Sequence, residues 1–416
     1  VLAASLVGTA VEFYDFYVYA TAAALVFGQL FFPAESAAAQ QMFAFMSFGL
    51  AFVARPVGAI AFGHFGDRLG RKSTLVASLL LMGVSTLLIA FLPTYAFMDE
   101  SGIGWVAPLL LCVLRFGQGF GLGGEWGGAT LLAVENAPKG WEARFGSAPQ
   151  LGAPVGFLAA NGLFLLLGLG LSDADFIAWG WRVPFLLSAI LVAIGLWVRL
   201  RIGETPAFRE ALEEAPPPTV PLGTVLRHHW APTLAATAGV VAAFAIFYLS
   251  TAFALSHMTS VRGASRETVL ALQLAANLFL ALGIVLAAIG SDRRGARKML
   301  AWGALMTIVV GFGFGPVLAG GSLAVVFVTL ATALLVMGFV YGPLGGWMPK
   351  LFPVTVRYTG MSIAFNGGGI VGGALMPIAA QKLSEFGYVP LIGLFLSAAG
   401  LLTLLGVMLG RPSAAR

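Results

Sequence analysis

The chain has 416 residues, of which 59% are hydrophobic and only 10% charged, with a formal net charge of +5. A soluble domain carries about 25% charged residues, so a soluble globule is excluded and a helical membrane bundle is expected. Cys112 is the only cysteine, which excludes a disulfide framework and a cysteine metal site. The positive charge does not call for nucleic acid, because in such a chain its distribution matters more than its sum.

Apolar runs fall at 3–27, 41–63, 74–92, 106–132, 145–170, 183–200, 231–257, 267–289, 299–319, 322–348, 358–381 and 388–410, on the criterion of roughly 20 residues per crossing. No cleavable signal peptide is visible, and Val1 opens almost directly into the first run. The first run holds Glu12 and Asp15 near its centre. Charge at that depth is costly and marks a pathway, a partner or a proton to be managed. The second run holds Arg55, and the fourth holds Arg115 near its middle with Glu125 further along.

Gly117, Gly119, Gly121, Gly123 and Gly127 on the fourth run are spaced so that neighbouring helices can approach closely. The Gly119-x-Gly121-x-x-Gly124 match to a dinucleotide fingerprint is a decoy, because no strand precedes it. The one long polar connection, Arg201 to Trp230, contains Pro216-Pro217-Pro218, which cannot continue a helix. It divides the chain into 1–201, a linker at 202–230, and 231–416. In the second block the interior polar candidates are Tyr248, Gln273, Asn277, Trp347 and Asn366, with no ionised side chain away from the span ends. The four histidines form no cluster, and neither a metal nor a cofactor is expected.

Lysine and arginine set the expected orientation. With the N-terminus inside, the inner loops and tail hold 17 of them, and the outer loops hold four: Arg182, Arg262, Arg266 and Lys382. Both termini are therefore expected in the cytoplasm. The two blocks also echo each other. Gly63 to Lys72 after the second run is answered by Ser291 to Lys298 after the eighth, and Asp67 and Asp292 are 225 residues apart. Repeated halves put a substrate site near the midplane between them.

The loop from Gly63 through Asp67, Arg68, Gly70, Arg71 and Lys72 resembles the signature of the major facilitator superfamily. Leu111-x-x-x-Arg115-x-x-Gln118-Gly119 is similar to that superfamily's fourth-helix motif. More narrowly, the chain resembles the metabolite:proton symporters, the branch with shikimate, α-ketoglutarate, citrate and proline/betaine permeases. The matching phrases are Glu12 to Tyr17, Gly63 to Lys72, Gly123 to Gly128, Trp179 to Phe185 and Val356 to Gly360. Within the branch it looks most like shikimate-permease-like members and metabolite transporters of no assigned substrate. The second loop departs from the pattern at Ala288 and Ala296.

The resemblance implies an all-α integral membrane protein of twelve transmembrane helices in two pseudo-symmetric six-helix bundles. It implies a secondary active transporter, not an enzyme, acting as a monomer in the bacterial inner membrane and using protons as coupling ion. It also implies that Gly63, Asp67, Arg68, Gly70, Arg71, Lys72, Asp292 and Arg293 gate the cytoplasmic side.

Gly8, Glu12, Asp15 and Tyr19 form one helical stripe. Asp15 lies about 18 Å from the cytoplasmic end at 1.5 Å per residue, and Arg115 lies at a similar depth. Depth therefore permits contact between the two, either as a static interior salt bridge or, the favoured reading, with Asp15 neutralising Arg115 until it takes a proton and frees the guanidinium for a substrate carboxylate. Glu12 is the alternative acid. Gln118, Tyr14, Tyr19, Trp126, Tyr248, Asn277, Trp347 and Asn366 are the remaining candidate substrate contacts. Arg55 and Glu125 are expected either as an inner gate or as a structural bridge.

A proton-coupled symporter of a small organic acid, shikimate-like or a di- or tricarboxylate, is the leading expectation. A proline- or betaine-like zwitterion is the alternative, with Tyr14, Tyr19 and Trp126 around an ammonium. A drug:proton antiporter is less favoured, because Gly152-Ala153-Pro154-Val155-Gly156 departs from the antiporter pattern. A membrane enzyme lacks a converging nucleophile and base, and a channel does not need repeated latch loops.

Overall fold

The structure is a computed structural model and describes residues 2–34, 36–69, 71–123, 125–201, 221–353 and 356–411. Among the described residues ten helices are long and apolar enough to cross a membrane, and Val76–Ile89 and Val106–Leu122 are shorter apolar helices. They coincide with the twelve apolar runs. In order, the long ones are Leu6–Phe31, Ala37–Phe62, Glu142–Gly170, Gly180–Trp197, Trp230–Ser260, Arg266–Arg294, Ala296–Gly320, Leu323–Leu351, Arg357–Glu385 and Val389–Leu409. With the shorter two in third and fourth place, these are the first to twelfth spans.

Two details differ from the sequence reading. In the fourth span one helix ends at Leu122 and another runs Glu125–Glu135. The connection between the halves carries a short helix at Pro221–His228.

The packing repeats. In the first half the first span lies against the fifth and sixth, the second against the fourth, and the third against the fourth and sixth. In the second half the seventh lies against the eleventh and twelfth, the eighth against the tenth, and the ninth against the tenth and twelfth. Adding six to each member of a first-half pair gives a second-half pair. The halves meet along the fifth and eighth spans and along the second and eleventh, and the same operation relates these two contacts. π-helical turns at Ala23–Phe27 and Leu249–Phe253 fall at matching places in the first and seventh spans. Such turns are rare and gather at functional sites.

Small residues hold the helices together, as expected where lipid offers no hydrophobic drive between apolar surfaces. A Cβ on Gly119 would strike the Ala51 backbone, and one on Gly123 the Arg55 carbonyl. Both are contacts from the fourth span to the second. Gly117 and Gly121 face Ser85 and Ser78 on the third span, while Gly127 faces Ser362 on the eleventh. Glycines four apart share a face, so two interleaved sets serve two neighbours. The first and seventh spans are 83% and 94% buried, against 39% for the sixth and ninth, so the first and seventh line the centre.

Candidate functional site

Asp15 is 1% exposed, and Arg115 has no exposure. They are not in contact, which corrects the expected pair. The Asp15 carboxylate accepts a hydrogen bond from Ser188 Oγ on the sixth span at 2.5 Å and lies 3.3 Å from Thr86 Oγ1 on the third. Gln118 Nε2 donates to Thr86 Oγ1 at 2.7 Å, and Arg115 Nη1 donates to Gln118 Oε1 at 3.0 Å. Acid and base are thus joined by a relay, Asp15–Thr86–Gln118–Arg115, across the first, third and fourth spans. Equal depth fixes only height on a helix. On the first span Asp15 turns toward the third and sixth spans, while Phe16 and Tyr19 turn toward Arg115.

Arg115 Nε and Nη2 also reach the Phe48 carbonyl, both at 3.4 Å. Its guanidinium lies 4.0 Å from the Tyr19 ring centre, 4.1 Å from Phe16 and 5.0 Å from Phe48. Tyr19 is held in place by its hydroxyl on Ser47 Oγ at 2.8 Å. Aromatic faces of this kind stabilise a desolvated cation.

Phe16 serves a second cation. The Arg55 guanidinium is 4.3 Å from the same ring and 4.9 Å from Phe52. Two buried arginines therefore share one aromatic ring, and Arg115 is not the lone cation of this interior. Tyr248, from the second half, packs on Phe48, Phe52 and Phe16 at 5.1, 5.4 and 6.2 Å and covers the cluster.

A cavity of about 30 Å³ lies beside Arg55, lined by Glu12, Phe13, Trp126, Ser362, Phe365 and Asn366 among others. That is room for about two waters. Trp126, from the first half, stacks on Phe365, from the second, with ring centres 3.8 Å apart and planes 7° apart. Asn366 Nδ2 donates to the Gly123 carbonyl at 2.9 Å, a second tie across the halves. Asn277 makes a third, donating to the Pro154 carbonyl at 2.9 Å.

Two proposed contacts lie elsewhere. The Tyr14 hydroxyl donates to the Pro184 carbonyl at 2.8 Å, and its ring lines an apolar groove of the fifth and sixth spans. Two residues on from Glu12, it falls on the other side of the first span. Trp347 packs against Gly239 and Gly410, inside the second half and away from the cavity.

The halves are bridged at both ends. Asp292, at the end of the eighth span, accepts from the backbone N–H groups of Ala143 and Arg144 at 2.8 and 3.3 Å and pairs with Arg144 Nε at 3.0 Å. It thereby caps the N-terminal end of the fifth span, where the helix dipole favours negative charge. Arg293 beside it is exposed. Gly63, Asp67 and Arg68 close the second-span helix, and Arg71 and Lys72 open the next. The side chains of these four charged residues and of Glu125, together with Gly70, lie outside the described residues. At the opposite end Arg266 pairs with Asp173 at 3.0 Å and with Glu267 at 2.7 Å, and lies 3.9 Å over Phe176. Asp173 belongs to the first half, so this bridge also crosses.

Thr86, Ser188, Ser362 and the outer bridge are absent from the sequence reading. Hydroxyls on apolar helices are common and carry no spacing signal, and a loop ion pair needs the fold to bring it together.

The family model for sugar (and other) transporters matches residues 1–214. The chain is 46% identical to an inner membrane metabolite transport protein of Escherichia coli, YhjE, over 98% of this chain and 93% of that one. It is a major facilitator superfamily transporter. It is also 37% identical to the Escherichia coli shikimate transporter, covering 92% of this chain and 87% of the relative. Identity to the Escherichia coli proline/betaine transporter is 30%, covering 92% and 77%. Among solved structures the fold is similar to that of the Escherichia coli xylose transporter XylE in a partially occluded inward-open form. That match has a TM-score of 0.74 and 16% identity over 97% of this chain and 95% of the other. A second, of the same symporter bound to 6-bromo-6-deoxy-D-glucose, has a TM-score of 0.75 and 16% identity over 98% and 94%. The chain is thus a multi-pass membrane transporter of the major facilitator fold, not an enzyme.

Proposed function

We propose that this transporter is a proton-coupled symporter of a small organic acid, working as a monomer with both termini in the cytoplasm and 1–201 and 231–416 as its moving halves. The relay from Asp15 to Arg115 carries this reading. As a carboxylate, Asp15 accepts from Ser188 and Thr86. Once protonated it has a donor of its own and less need of theirs. The Thr86 hydroxyl has the Met82 carbonyl, 2.9 Å away, as its other acceptor. The protonated Asp15 can donate to Thr86 Oγ1 in competition with Gln118 Nε2, and a Gln118 displaced from Thr86 can turn from Arg115 and free an N–H of the guanidinium.

Charge balance points the same way. Among the described residues the interior of the first half buries two acids, Glu12 and Asp15, and two cations, Arg55 and Arg115. A proton on Asp15 leaves an excess positive charge in a medium where uncompensated charge is costly. A substrate anion offsets it, so proton and anion are carried together. The shikimate transporter among the relatives agrees with an organic acid. A zwitterion is the second reading, favoured by Glu12, Trp126 and Phe365 around one cavity and by the proline/betaine relative. The test is substrate-driven proton movement. In proteoliposomes containing a pH dye, shikimate or another organic acid taken up by the protein should acidify the lumen, and collapsing the pH gradient should stop accumulation. Uptake without lumenal acidification would rule the proposal out.

A further inference from the structure

Resting on the organic-acid reading, we infer that the cavity beside Arg55 is the subsite that grips the substrate carboxylate. Arg55 serves as the direct ligand there, and Trp126 and Ser362 as its hydrogen-bonding partners. Arg55, Trp126 and Ser362 are 5%, 8% and 5% exposed and all line the cavity. Arg55 Nε, Trp126 Nε1 and Ser362 Oγ are each without a hydrogen bond, and the Tyr341 hydroxyl lies beside Trp126 at the margin of bonding its indole. Buried polar atoms without partners are uncommon and costly, and several around one cavity call for a ligand.

The chemistry of those atoms selects the ligand. A guanidinium N–H and an indole N–H can only donate, and the hydroxyls can donate too. Glu12 also lines the cavity, so the anion binds on its donor side, where the Arg55 N–H, the indole N–H and the Ser362 hydroxyl fit a planar acceptor with negative charge, which a carboxylate supplies. Arg115 is built differently: its N–H groups are directed at the Phe48 carbonyl and Gln118, and aromatic rings wrap it. It acts on the anion through charge and the relay, and Arg55 makes the contact. The cavity takes the carboxylate group and not a whole metabolite, so the Trp126–Phe365 stack between the halves must part to admit the rest. Arg55 and Trp126 come from the first half and Ser362 from the second. A carboxylate bound to all three therefore ties the halves together, linking occupancy to closure.

The test is thermal unfolding of the purified full-length protein with shikimate, succinate and glycine betaine as probes. Wild type should be stabilised by at least one of the two acids. Trp126→Phe keeps the ring stack and Ser362→Ala removes a single hydroxyl, so both should melt like wild type without a probe. Each should bind the acid about tenfold more weakly, and Arg55→Lys more weakly still. If Trp126→Phe and Ser362→Ala bind the acid like wild type while Arg115→Lys does not, this subsite is wrong and the organic-acid reading survives. Stabilisation of wild type by glycine betaine alone, or by none of the probes, would overturn both.

Discussion

The first six spans bury Glu12, Asp15, Arg55 and Arg115. The last six, among the described residues, bury Gln273, Asn277, Ser362 and Asn366 and no carboxylate or guanidinium away from the span ends. Yet the two halves pair their helices in the same order, and their first spans share a π-helical turn at the same place. One helix plan therefore supports two different interiors, one that manages charge and one that supplies neutral hydrogen bonds and shape. Keeping ionisable groups in one half lets a proton change the charge of the site while the opposite wall stays as it was. It also gives the halves unequal mutational sensitivity.

Arg115→Ala probes the charged half where the effect should be largest. Losing a desolvated cation and its charge-assisted interactions should weaken organic-acid binding by about 100-fold. Arg115→Lys should recover part of the loss, because the charge returns without the planar fork. Equilibrium binding of a labelled acid checks both. An unchanged affinity in Arg115→Ala would move the distinction between the halves away from charge.

Gly119→Val probes the scaffold beneath that charge. A side chain there meets the Ala51 backbone, so overpacking should cost about 1–3 kcal/mol and lower the melting temperature. Asn366→Ala is the matching change on the neutral side. It removes one hydrogen bond to Gly123 and should cost about 1 kcal/mol, read as a weaker preference for the closed form in cysteine-accessibility labelling. A loss as large as that of Arg115→Ala would erase the proposed contrast. Arg266→Ala should do least: its partner Asp173 has an 88% exposed side chain, and an exposed ion pair is worth about 0–1 kcal/mol. A near-wild-type melting temperature is expected.

The membrane spans were legible because twenty apolar residues in a row have few other uses, and Asp15 and Arg115 stood out because charge in such a run is rare. The relation between them was not legible. Rise per residue gives depth, but azimuth depends on packing, and here it turns Asp15 to Thr86 and Ser188 instead of Arg115. The glycines of the fourth span were readable as contact points. Residue type alone singles out Tyr14 and Trp347, and type does not say which face of a helix looks inward. Sequence leaves Arg55 as either an inner-gate residue or a structural bridge. Its sharing of Phe16 with Arg115 arises from the close approach of the second and fourth spans.

The central claim is that Asp15 carries the proton, and Asp15→Asn tests it most directly. In proteoliposomes, with an organic acid that wild type accumulates, two rates are compared: exchange of labelled for unlabelled substrate, and uphill uptake driven by an inward proton gradient. The amide stands for a permanently protonated acid, so exchange should persist while gradient-driven accumulation disappears. Accumulation at the wild-type level would contradict the account and pass the proton to Glu12.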